Sequence, residues 1–295
     1  MSTATPQSSG AAPDWLRPLR YLVRVPLLLL HLLVALPVTL ALVTASGDRW
    51  HLRSGERFDH RMIRWWSGVL VRVFGFRVSS RGAPVPGAVL LVANHITWLD
   101  IELIHSRRMA CFVAKSEIER WPFVGWLTKR AGTIFHRRGS TESLGAVQQV
   151  MAERMRAGLA VAVFPEGGTG PGDRVRTFHA RIFQAAIDAA VPAQPVALKF
   201  TRKGAPTTAV AFRGNESFLG NFLRVLGDPP TEAEIGFLDP VAPDPAGRRR
   251  MAEACRGQIV RALGFAESRR APSDASAAEP ATDDLDPLAD VDAAG

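Results

Sequence analysis

The chain has 295 residues, enough for one large domain or two small ones, and carries 36 Lys and Arg against 28 Asp and Glu for a net charge of +8. Seven of the acids but no Lys or Arg fall in residues 271–295, so the remainder is more basic than the total, which favours anionic partners such as phospholipid headgroups or phosphorylated molecules. Nucleic acid is disfavoured because no zinc-finger spacing, helix-turn-helix or RNA-binding signature stands out, and two cysteines, Cys111 and Cys255, make neither a disulfide framework nor a metal site.

Residues 1–13 are rich in Ser, Ala and Pro, a composition expected to be disordered. From Leu22 to Ala45 the chain is almost wholly apolar, with Pro26, His31 and Pro37 inside it. Roughly 20 such residues match one membrane span. A span is the first reading and a bent, in-plane anchor the second. Arginines stand on both sides (Arg17, Arg20 and Arg24 before, Arg49 and Arg53 after), so charge selects no orientation. Residues 57–76 predict a second helix, with Met62, Trp65, Trp66, Leu70 and Phe74 at helical spacing and Arg61, Arg64 and Arg72 among them, a mixture suited to a membrane interface.

Beyond it short apolar runs alternate with helical patterns. Strands are expected at Gly87–Val92, Ala110–Ala114, Thr133–His136, Leu159–Phe164, Gln194–Thr201 and Thr208–Arg213, with Glu234–Leu238 as an edge strand. Helices are expected from Ile101, from Ser140 to Ala157, over Phe178–Ala190 and over Arg248–Leu263. This alternation predicts an α/β fold: a mixed, largely parallel sheet flanked by helices, preceded by a membrane-associated helical segment. Residues 267–295 form an acidic tail lacking the apolar content to fold alone.

In such folds ligands gather at the carboxyl ends of the strands. There the sequence places Asn94, His95 and Asp100 after the first core strand. Arg137 and Arg138 follow a later strand, and Phe164-Pro165-Glu166-Gly167-Gly168-Thr169-Gly170 follows the next. Histidine is the side chain best suited to take a proton near neutral pH, and a carboxylate can fix its tautomer and stabilise its charged form. A five-residue separation is not a same-face helical spacing, so the pair meets only if the backbone turns tightly between strand and helix. No Gly-x-Ser-x-Gly nucleophile elbow occurs.

These blocks, with the proline-containing apolar strand around Val191–Ala197, occur in order across residues 94–198. The sequence here resembles the lysophosphatidic acid acyltransferase family of glycerolipid acyltransferases, whose signatures are NHxxxxD, a Gly-x-aliphatic-x-x-[DE]-Arg block, FPEGT and a proline-bearing strand. The resemblance implies an acyltransferase domain over 77–266 and a membrane-anchoring segment over 14–76. It implies transfer of an acyl group from acyl-CoA or acyl-carrier protein to a free lysolipid hydroxyl, with His95 as general base and Asp100 orienting it. No metal or other cofactor is implied. Arg138 aligns with the family's motif arginine as phosphate ligand. Glu166 and Gly167 align with the FPEG core, the carboxylate positioning the acceptor or fixing the loop, while Lys115 adds charge and Asn94 and Thr169 complete the substrate-binding set.

Three departures stand out. Arg137 replaces the acid before the motif arginine, so either arginine is a candidate ligand. Gly168 takes the place of the Thr after FPEG. Thr177-Phe178-His179 replaces Pro-Phe-Lys, and Arg174, Arg176 or Arg181 is available to supply the lost charge. The first expectation is 1-acylglycerol-3-phosphate as acceptor; a lyso-ornithine lipid or other lysophospholipid is the second, and a silent, basic membrane-binding protein the third. Val43-Thr44-Ala45 resembles a signal-peptide end, but export would part the enzyme from cytosolic acyl donors. The expected place is the inner membrane, with the active site facing the cytoplasm.

Overall fold

In the computed structural model the described residues are 14–46, 49–120, 124–136, 141–244 and 247–265. The expectations of disorder for 1–13 and for the tail lie outside them.

The apolar segment forms one continuous helix, Arg17–Ser46: α1 (Arg17–Leu30), a π-helical turn (His31–Ala35) and α2 (Leu36–Ser46). In that turn the Leu36 N–H reaches back five residues to His31 O. The wider turn comes just before Pro37, whose ring would crowd an ordinary helical carbonyl. Buried Arg24, Leu28, His31, Leu36, Thr39 and Ser46 recur at helical spacing along the whole length, making one stripe that faces the domain. His31 stacks on Trp66 with ring centroids 4.8 Å apart, and Arg130 Nη1 donates to Thr44 Oγ1 at 2.8 Å. The opposite face, including Leu22, Leu33 and Val38, is exposed.

The second helix, α3 (Phe58–Val73), stops before the expected residue 76. Gly75 has φ +85°, and a Cβ there would run into the Arg24 guanidinium; the chain reverses and Phe76 already belongs to a strand. The core then comprises β1 (Phe76–Arg81), β2 (Val89–Ala93), α4 (Leu99–His105), β3 (Cys111–Lys115), α5 (Val124–Arg130), β4 (Ile134–His136), α6 (Thr141–Arg156), β5 (Ala160–Val163), α7 (Gln184–Asp188), β6 (Ala193–Arg202), β7 (Ala205–Pro206), α8 (Phe218–Gly227), β8 (Thr231–Phe237) and α9 (Arg248–Leu263). Both cysteines are free and buried.

The strands run in the order β1-β8-β6-β2-β5-β3-β4, with β7 beside β6. All pairings are parallel except β6 with β7 and with β8. All five residues of β2 are buried. Val89, Leu91 and Ala93 face one core layer with α3, α4 and α8, while Leu90 and Val92 face the other with α6, α7 and α9. A strand buried on both faces explains why its sequence is continuously apolar rather than alternating. Each buried aliphatic side chain contributes about 1.5–3 kcal/mol.

Three expectations change. Residues 208–213 form turns rather than a strand, because Thr207 Oγ1 accepts from Ala209 N and Thr208 O from Ala211 N, closing tight local loops. The strand expected at the edge, β8, lies inside the sheet between β1 and β6. The segment expected as one helix over 178–190 is a 3-10 turn (Ala180–Phe183) followed by the short α7.

Candidate active site

From β2 the chain crosses by α4 to β3, past β5; from β5 it crosses by α7 to β6, back past β2. The two crossings lie on opposite faces of the sheet, so the carboxyl ends of β2 and β5 form a switch point, where open α/β sheets bind ligands. The His95 loop leaves one strand there and the Phe164–Gly170 loop leaves the other.

The turn between β2 and α4 brings the expected pair together. His95 Nδ1 lies 2.9 Å from Asp100 Oδ2. The same oxygen accepts from Ile96 N at 2.6 Å and Thr97 N at 2.9 Å, so Asp100, fully buried, both shapes the turn and aims the imidazole. Its Oδ1 has no hydrogen-bond partner among the described residues. The imidazole stacks on Phe164 with centroids 3.8 Å apart and planes 11° from parallel, which fixes the ring from its face while Asp100 fixes its edge.

Glu166 ties the two loops. Its Oε1 accepts from His95 N and its Oε2 from Arg176 N, each at 2.9 Å. Burial pushes its carboxyl above the ordinary range, while the two backbone donors, the Arg176 charge and His95 pull it back. Arg176 also donates to Gly168 O. Gly170 N donates to His95 O at 2.7 Å, and Gly167 has φ +77°, a conformation that favours glycine at this turn. On α9, Arg256 holds Val175 O and Arg176 O at 2.8 and 2.9 Å, so the last helix steadies the loop.

Against this frame, a family model described as Acyltransferase matches residues 76–199. A lyso-ornithine lipid O-acyltransferase of Pseudomonas aeruginosa is 34% identical over 78% of this chain and 89% of its own length.

The chain belongs to the acyltransferase family.

A lyso-ornithine lipid O-acyltransferase of Rhodobacter capsulatus is 31% identical over 76% of this acyltransferase and 87% of its own length. A 1-acyl-sn-glycerol-3-phosphate acyltransferase of Neisseria meningitidis is 34% identical over 52% and 61%. The crystal structure of the 1-acyl-sn-glycerophosphate acyltransferase of Thermotoga maritima matches with a TM-score of 0.57 at 20% identity, covering 85% of this chain and 99% of that one, which supports the fold.

The remaining residues singled out from the sequence are distributed unevenly. Asn94 Nδ2 donates to Leu198 O at 3.0 Å and Asn94 Oδ1 accepts from Leu198 N at 2.8 Å, so its amide laces β2 to β6. Glu166 is engaged by the loops. Thr169 is exposed on the glycine-rich turn. Lys115 ends β3. Arg137 and Arg138 lie outside the described residues. Among the described residues no three His, Cys, Asp or Glu side chains gather as a metal site would need. Phe164 and Trp98 contribute to the site without having been singled out. Both stand inside the motifs, but nothing in their sequence position says that one ring packs on the imidazole and the other reaches a distant helix.

Proposed function

We propose that this acyltransferase moves a fatty acyl group from an acyl thioester, acyl-CoA or acyl-carrier protein, to the hydroxyl of a lysolipid at a membrane surface. The observation that carries the reading is the His95–Asp100 contact at the switch point. With Nδ1 held by the carboxylate, Nε2 is the proton acceptor. It takes the acceptor hydroxyl's proton as that oxygen attacks the thioester carbonyl. The tetrahedral intermediate then expels the thiolate, which recovers the proton from the imidazolium. No covalent acyl-enzyme and no cofactor is needed, because the thioester is already activated. Exclusion of water sets transfer against hydrolysis.

For the acceptor, the relatives matched over almost their full length favour a lyso-ornithine lipid, and the departures from the family pattern at Arg137, Gly168 and Thr177–His179 fall in loops expected to meet the headgroup. Lysophosphatidic acid is the second reading, favoured by the shorter matches to enzymes acting on it. Arg138, with Arg137 and Lys115, is the proposed ligand for the acceptor's anionic group in either case.

The single buried stripe along Arg17–Ser46 supports an in-plane lie on one leaflet. An upright helix about 45 Å long packed on the domain throughout would drag α3, with its arginines, into the hydrocarbon. The cytoplasmic leaflet of the inner membrane is the proposed place, since acyl donors are cytosolic. The test is a panel of lyso-ornithine lipid, lysophosphatidic acid and other lysophospholipids with one labelled acyl-CoA, read by product mass, for wild type and His95→Ala. Product from wild type alone is expected. Equal turnover by both, or none from wild type with any acceptor, overturns the reading.

A further inference from the structure

Helix α8 sends Val225 and Leu226 into the core, yet its remaining side chains are distributed unusually. Its two polar side chains in mid-helix, Asn221 and Arg224, are buried, whereas Phe218, Leu219 and Leu223 are exposed, Leu219 at 63%. A surface helix in water shows the opposite pattern. The buried polar groups are well used. Asn221 Oδ1 accepts from Trp98 Nε1 at 3.1 Å, and Arg224 pairs with Glu216 at 2.7 Å and donates to Ala211 O. Of the outward apolar residues, Phe218 packs partly on Trp98 and Phe222, while Leu219 and Leu223 are the more exposed.

Helix α8 is tied to α1. Arg20 and Tyr21 of α1 donate to Gly227 O and Leu223 O, each at 2.7 Å, and Arg24 donates to Leu226 O and Asp228 O, each at 2.8 Å. Leu226 O and Gly227 O belong to the last turn of α8, where a helix leaves acceptors without intrahelical partners and where positive charge is favoured; Leu223 lies one turn earlier and Asp228 is the C-cap. The arginines preceding the apolar run are therefore committed to α8. Leu19, Leu22 and Val23 beside them on α1, and the N-cap Leu16, stay exposed, so α1 and α8 are clamped as a pair and both present apolar side chains.

Helix α8 is also joined to the catalytic loop. Trp98 stands between His95 and Asp100; besides its bond to Asn221 it stacks on Phe222 with centroids 5.4 Å apart and meets Phe218 and Phe74 edge-on. The same network holds Ala209 and Ala211, which line an open hollow with Pro171 of the glycine-rich loop.

We propose that Phe218, Leu219 and Leu223 form a second bilayer-contacting surface, continuous with α1, and that through Trp98–Asn221 this surface fixes the depth of the His95 loop relative to the lipid. The proposal rests on the in-plane lie of α1 inferred above. A bilayer is the one occupant that would cover both helices at once, and it holds the hydroxyl-bearing lipid beside the loop that must deprotonate it.

The test uses the full chain on phosphatidylcholine–phosphatidylglycerol vesicles containing doxyl-labelled lipid. Because Cys111 and Cys255 are buried, a thiol-reactive fluorophore reports on an introduced cysteine. Leu219→Cys is compared with Glu253→Cys on α9, which packs on the opposite face of the sheet. Quenching at 219 and its absence at 253 is expected; quenching at 219 no stronger than at 253 overturns the proposal. In parallel, Leu219→Asp with Leu223→Asp should lower the ratio of turnover on vesicle-borne to detergent-dispersed acceptor at least about tenfold, from the apolar burial lost. An unchanged ratio overturns it, whether both rates fall or neither does. Absence of turnover in the wild type would count against acyl transfer alone, since quenching needs no reaction.

Discussion

Replacing Asp100 by Asn tests the proposed catalytic pair with least disturbance to the fold. An Asn can place its one oxygen where Oδ2 now accepts from Ile96 N, Thr97 N and His95 Nδ1, and its amide can stand at Oδ1, which has no partner among the described residues to lose. What disappears is the charge. At the observed 2.9 Å and an effective dielectric of about 20, attraction between imidazolium and carboxylate is about 6 kcal/mol. The proton is only partly on the ring in the transition state, and the Asn dipole persists, so about half, ~3 kcal/mol, is lost. That corresponds to a fall of about 10²-fold in kcat. The assay is thiol release from acyl-CoA at saturating lysolipid, with the thermal midpoint measured on the same protein. Asp100→Ala is the contrast: it leaves two buried N–H groups unpaired and should also destabilise by about 1–3 kcal/mol for each. A kcat for Asp100→Asn within threefold of wild type, at unchanged stability, would refute the argument that this carboxylate supports His95 by charge.

Asn94→Ala removes both hydrogen bonds to Leu198 and should cost about 1–3 kcal/mol of stability while leaving relative rates across acceptors unchanged; a shifted acceptor preference at full stability would place Asn94 against substrate instead. Arg24→Met strips Leu226 O and Asp228 O of a buried cationic donor and should lower stability by about 2–3 kcal/mol, read by urea midpoint, whereas Arg49→Met, at an exposed position beyond the N-terminal helix, should not. The Arg224 guanidinium beside Glu216 holds that carboxyl down to about 2 from 4.5. A depressed carboxyl stabilises the fold above its unfolded value and loses that contribution as pH falls from about 4.5 toward 2. Glu216→Gln should therefore flatten that part of the acid limb when thermal midpoint is followed against pH, and an unaltered limb would refute the assignment.

Much of the His95–Asp100 arrangement was legible because it is local. His95 and Asp100 are five residues apart, and Asp100 organises the turn it shares with His95 through backbone N–H groups three and four residues away. The apolar runs of β2 and β5 report strands buried on both faces. Composition alone marks a long apolar helix near the N-terminus. Where reading failed, local turns were reinforced by a non-local partner. Thr208–Arg213 has strand-like composition, but its Ala209 and Ala211 carbonyls are bonded by Arg224 from α8. An isolated window cannot reveal a partner of that kind. Helix α8 itself escaped because its polar residues face inward.

The sequence by itself determined which residues stand at the ends of the core strands, in what order, and that a long apolar segment precedes them. Side-chain type and short spacing suffice for that. Only the tertiary structure decided that Asn94 laces two strands and that Glu166 holds the His95 loop. It likewise showed that Arg17–Ser46 lies along the domain and that the arginines ahead of the apolar run cap α8. Each of these depends on pairing a donor with an acceptor tens to hundreds of residues away, a choice made by chain topology and burial rather than by local propensity.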